Sequence, residues 1–104
     1  NLSSEIFMLE QLESISRQIE KRLQKHSISG KTITLKIKYS DFSLQTRSKT
    51  MPYYISDKYL IFEIVKELLY QERLKDSVRL LGIALSNLNT EQKKTVVIQL
   101  QFDF

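Results

Sequence analysis

The pattern of apolar residues in this sequence predicts an α+β fold, with two helices packed on one face of a mostly antiparallel β-sheet. Three observations predict it. Apolar residues recur three and four apart from Met8 to Leu23 and from Leu60 to Leu69, the spacing of a helix stripe. They alternate with polar residues from Lys31 to Tyr39 and from Thr95 to Phe104, the spacing of a half-buried strand. The order is helix, strand, strand, helix, strand, strand, which leaves one sheet face free.

The first helix opens at Ser3 or Ser4, either of which can cap it, with Glu5 at the positive end of the macrodipole. Met8, Leu12, Ile15, Ile19 and Leu23 form its stripe, supported by Ile6 and Leu9, while Glu13, Arg17, Glu20 and Lys21 face water. Basic residues gather at its end, and Gly30 is read as its stop. Ile33, Leu35, Ile37 and Tyr39 then alternate with Thr32, Thr34, Lys36 and Lys38. Asp41 and Ser43 supply turn chemistry, and Leu44 to Met51 reads as the second strand, with Pro52 ending its ladder. Ser56 or Asp57 caps a second helix with Leu60, Ile61, Ile64, Val65, Leu68 and Leu69 on one face, stopping near Glu72 to Asp76. Val78 to Leu88 is nearly all apolar, so the third strand is read as central. Thr95 to Phe104 is the fourth strand, reached through a hairpin connection at Asn87 to Lys94.

With 104 residues, 41% hydrophobic and 27% charged, two glycines and one proline, the chain fits one globular domain. It has no cysteine, which excludes disulfides and thiolate metal sites and agrees with a reducing cytoplasm. No apolar run of about 18 residues is present, so no membrane partner is expected. A first residue Asn1 instead of methionine suits a segment of a longer protein. The net charge of +4 favours a polyanionic partner.

The inventory offers no catalytic site. His26, the one histidine, has no Cys or carboxylate at ligand spacing, and no nucleophile elbow or phosphate-binding glycine loop occurs. Asp41, Asp57 and Asp103 read as turn, cap and strand residues, not as a two-metal cluster. A binding face has more support. Thr34, Lys36 and Lys38, followed by Thr46, Arg47, Ser48 and Lys49, bring hydroxyls and cations, the donors that phosphate oxygens need. A solvated sheet whose lysines prevent edge pairing is the alternative. Phe42, Tyr53, Tyr54, Tyr59 and Phe62 sit around turns and the second helix start, where rim or core packing is expected.

Three ordered phrases carry a resemblance: Lys31 to Phe42 (KTITLKIKYSDF), Thr46 to Thr50 (TRSKT), and Val78 to Leu88, within which VRLLGI precedes ALSNL. Together they resemble the C-terminal little finger domain of Y-family DNA polymerases, in the bacterial DNA polymerase IV branch. The resemblance implies a helix-backed sheet in the major groove of primer-template duplex DNA, holding backbone phosphates with little base readout during lesion bypass. It implies that Arg47, Ser48 and Lys49 meet the backbone and that Arg79 contacts phosphate. Ala84 departs from relatives that carry a basic residue there. The catalytic carboxylates and their magnesium ions would belong to the parent polymerase, so this segment would need no cofactor and would not itself incorporate nucleotides. Because relatives begin with a strand before the first helix, Thr95 to Phe104 is expected to pair antiparallel with Val78 to Leu88, in the same or an adjacent molecule. The same tail resembles a sliding-clamp motif through Gln99, Leu100, Phe102 and Phe104, and clamp peptide and structural strand remain two readings of it.

Overall fold

Met8, Leu12, Ile15, Ile19 and Leu23 are all buried on one stripe of helix α1 (Glu5–Lys25). Ile6 is the exception to the expected support, standing 72% exposed in the first turn. Gly30 does not stop this helix. Ser27, in the left-handed region at φ 52°, does so: its N–H donates to Gln24 O and that of Ile28 to Leu23 O, the paired bonds of a Schellman cap. Gly30 instead opens strand β1 (Gly30–Tyr39), where a Cβ would lie 2.7 Å from Leu85 Cγ and 2.8 Å from the Ser86 carbonyl.

The computed structural model describes residues 5–90 and 96–101. The remaining elements are β2 (Leu44–Ile55), α2 (Lys58–Tyr70), β3 (Val78–Leu88) and β4 (Val96–Gln101), in the expected order. The four strands form one antiparallel sheet in the order β2-β1-β3-β4. β2 outruns its predicted end at Met51. Its pairing with β1 jumps from Thr32–Thr50 to Gly30–Ile55, so Pro52 interrupts the ladder without ending the strand. That is tolerated because β2 is an edge, where a missing N–H leaves no partner stranded.

Asp57 caps α2 as expected, its Oδ1 accepting the Tyr59 N–H at 2.7 Å. Glu20 is drawn from solvent to the same helix end, accepting the Lys58 N–H at 2.8 Å, a favourable place for a carboxylate. Both helices lie on one sheet face, α1 over β3 and β4 and α2 over β1 and β2. Ile33, Leu35, Ile37, Tyr39, Leu81, Ile83 and Leu85 meet the helix stripes in a single core. β3 is central, as its apolar run predicts. β4 pairs with it in the same molecule, Ala84 opposite Val97 and Leu81 opposite Leu100.

Candidate nucleic-acid interface

Period two decides which side chains this sheet offers outward. With Ile33, Leu35 and Ile37 committed to the core, Thr32, Thr34, Lys36 and Lys38 take the opposite face. Register then adds their neighbours: Ser48 and Ala84 flank Thr34, Thr46 and Gly82 flank Lys36, and Leu44 and Leu80 flank Lys38. The hydroxyls are cross-linked, Thr34 Oγ1 to Ser48 Oγ at 2.8 Å and Thr32 Oγ1 to Thr50 Oγ1 at 2.9 Å. Asn87 Nδ2 donates to Thr32 Oγ1 at 2.6 Å. These bonds fix the hydroxyls while each oxygen keeps further capacity. No residue of the four strands is Asp or Glu; among the described residues every carboxylate side chain belongs to a helix or a loop. Among the described residues the strands therefore give the outward face cations and hydroxyls and no carboxylate.

Arg47 and Lys49 are not on it. They pair with Leu35 and Ile33, so they share the helix-facing parity, and the expectation that their side chains meet phosphate does not fit this placement. Arg47 is 6% exposed. Its Nη1 donates to the carbonyls of Leu68 at 2.9 Å, Leu69 at 2.8 Å and Glu72 at 3.3 Å. The last turn of α2 has no basic residue of its own, so Arg47 supplies from the sheet the cation that orphan carbonyls and the negative dipole end call for. Lys49 is spent on Glu67 of α2, Nζ to Oε1 at 2.9 Å.

Arg79 lies at the other end of the face, where the β1–β3 register shifts between Lys38 and Tyr39. Its Cζ sits 4.4 Å from the centre of the Phe42 ring, and Lys38 Nζ sits 5.5 Å from the same ring. Phe42 closes the β1–β2 hairpin: its N–H donates to Tyr39 O at 2.9 Å, and the Tyr39 N–H donates to Ser43 O at 2.9 Å. The Asp41 carboxylate accepts from the Ser43 N–H at 2.9 Å and lies 3.6 Å from Lys75 Nζ. The Ser43 hydroxyl above all, then its amide and Lys75, hold the Asp41 carboxyl below its ordinary range. Phe42 is 61% exposed, a rim residue that no core packing explains.

The backbone of Gln99 and Leu100 is part of β4, opposite Gly82 and Leu81, whereas Phe102 and Phe104 lie outside the described residues. On the helix side a concavity is lined by Glu13, Ser16, Arg17, Lys58, Tyr59 and Phe62. It gathers no nucleophile with a base, and the Ser16 hydroxyl is committed to Leu12 O at 2.8 Å. Among the described residues no three His, Asp or Glu side chains come together as a metal site, and no helix is long and apolar enough to cross a membrane.

Fold and site define an open-faced α+β sandwich with a basic, hydroxyl-lined sheet surface. Residues 1–101 match the family model described as the impB/mucB/samB family C-terminal domain. Similar proteins include DNA polymerase IV of Leptospira interrogans, 42% identical over 94 residues, covering 83% of this chain and 26% of that protein. DNA polymerase IV of Clostridium perfringens strain 13 is 40% identical over 101 residues, covering 92% of this chain and 27% of that protein. DNA polymerase IV of Bacteroides fragilis is 35% identical over 97 residues, at 90% and 27% coverage. The chain thus spans about a quarter of the length of the curated relatives it matches. It belongs to this family, the little finger domain of Y-family polymerases of the DNA polymerase IV branch.

Proposed function

We propose that this chain grips primer-template duplex DNA for a translesion DNA polymerase, its open sheet face lying in the major groove against backbone phosphates. The observation that carries the reading is four described strands without a carboxylate, on which Thr34, Lys36, Lys38, Thr46 and Ser48 share one face, with Arg79 joined to Lys38 at its end through the Phe42 ring. Cations and hydroxyls suit phosphate oxygens, and a neighbouring carboxylate would repel them. Hydroxyls this short stay at the sheet surface, and the cations beside them meet phosphate charge whatever the base, which gives backbone contact with little sequence preference. Catalysis, with its magnesium-binding carboxylates, falls to other parts of the parent polymerase; this domain holds the duplex in place during lesion bypass.

Fluorescence anisotropy with labelled primer-template at two salt concentrations tests the reading. Neutralising about three phosphates with Lys36, Lys38 and Arg79 predicts roughly forty-fold weaker binding at 200 mM than at 50 mM salt. Lys38→Ala and Arg79→Ala should each weaken binding alike on all sequences and lower the salt slope by about 1. A sequence-selective loss would contradict the phosphate assignment. Absence of binding at low salt would favour the other reading, a protein-interaction module with a solvated face. A sliding-clamp role for Gln99, Leu100, Phe102 and Phe104 requires the first two to leave β3. Calorimetry of a tail peptide with purified clamp tests it, and no binding at high micromolar concentration sinks it.

A further inference from the structure

We infer that Phe42 is a positioning residue for this grip: its ring holds the Lys38 and Arg79 cations side by side as a preformed seat for one backbone phosphodiester of the duplex. The inference rests on the duplex-binding reading above.

Phe42 occupies a place that the hairpin would fill more cheaply with another residue. Its φ of 68° lies in the left-handed region, at the turn position where Gly or Asn is the usual choice. Burial does not offset that strain, since the ring is 61% exposed and stands apart from the core cluster. A local rule broken without a packing gain marks a functional position more often than a structural one. The ring meets two cations, Arg79 Cζ at 4.4 Å and Lys38 Nζ at 5.5 Å from its centre.

The cations themselves are left unneutralised. Among the described residues neither Lys38 nor Arg79 forms an ion pair, although carboxylates lie close by in the chain. Asp41 is engaged by Ser43 and Lys75, and Asp76 accepts the Ser77 N–H. Arg79 Nε is buried with no hydrogen-bond partner. Two like charges held at one aromatic ring repel each other, and an anion that reaches both relieves the repulsion. A phosphodiester fits, because a guanidinium fork and an ammonium can each take one of its free oxygens. Holding both long side chains on the ring before DNA arrives removes part of the ordering cost of binding.

Anisotropy titrations of the 104-residue chain against labelled primer-template at low salt, with thermal melts of each variant, test the inference. Phe42→Gly relieves the left-handed strain, so it should melt no lower than the wild type while binding about five-fold more weakly, the scale of one or two exposed cation–π contacts. Phe42→Tyr should retain wild-type affinity. In an Arg79→Ala background, Phe42→Gly should cost less than about two-fold, because most of what the ring positions is gone. Wild-type affinity in Phe42→Gly overturns the positioning role and leaves duplex binding standing. Weak binding with a lowered melting temperature that Phe42→Tyr fails to restore also overturns it, since the ring would then be structural. A wild type that does not bind at low salt overturns both.

Discussion

Arg47 shows how one residue's role turns on parity. It stands between two hydroxyl residues in a phrase that reads as a single cationic patch, yet it caps α2 from beneath. Arg47→Ala should strip three carbonyls of their donor and open a cavity, costing about 3 kcal/mol in denaturant unfolding. Its folded form should still show the wild-type salt slope for DNA; a reduced slope at unchanged stability would return Arg47 to the phosphate contacts. This placement was legible in part. Alternation from Ile33 and Leu35 assigns Thr34 and Lys36 outward, but Arg47 acquires its parity only through its pairing with Leu35 across a turn whose length fixes the register. Gly30 was misread for a related reason. Its close approach to Leu85 and Ser86 is a long-range contact, and Ser27, an ordinary residue in a left-handed cap, gave no signal. Gly30→Ala should destabilise the fold by about 1–3 kcal/mol, read by thermal denaturation, because the Ser86 backbone carbonyl has little room to yield.

At the scale of elements, the β1–β2 hairpin matters most, since it carries Phe42 to the end of the basic face. Its turn depends on the Asp41 carboxylate, whose folded-state pKa is depressed chiefly by the Ser43 hydroxyl. A depressed carboxyl stabilises the turn above its unfolded pKa, and that contribution fades as pH falls through the folded value, below the ordinary carboxylate range. Amide shifts of Phe42 and Ser43 should therefore hold steady near neutral pH and move together on acidification, a change that Asp41→Asn should abolish. Both helices, with their stripes and the Asp57 cap, were legible because they depend on local periodicity and capping. The continuation of β2 past Pro52 was not, because tolerance for proline comes from its edge position, a property of the whole sheet. β4 was legible as a strand paired with β3, since its alternation matches a hairpin after the central run.

Across the whole molecule, negative charge is sorted by layer. Helices and loops mix the described carboxylates with cations, while the strands carry cations and hydroxyls with no carboxylate, so the positive charge of the open face is not offset within the sheet. The fold class followed from the element order, and the family from three phrases in sequence. The partition of the basic residues between the two faces required the register. The central claim is that the outward sheet face, and not the helix layer, meets the duplex. Amide chemical-shift mapping of the 15N-labelled chain with unlabelled primer-template tests it most directly. The account predicts perturbations centred on Thr34, Lys36, Lys38, Thr46, Ser48 and Arg79, with α1 and α2 little changed. Shifts concentrated on the outer surfaces of α1 and α2, with those strand amides unmoved, would contradict it.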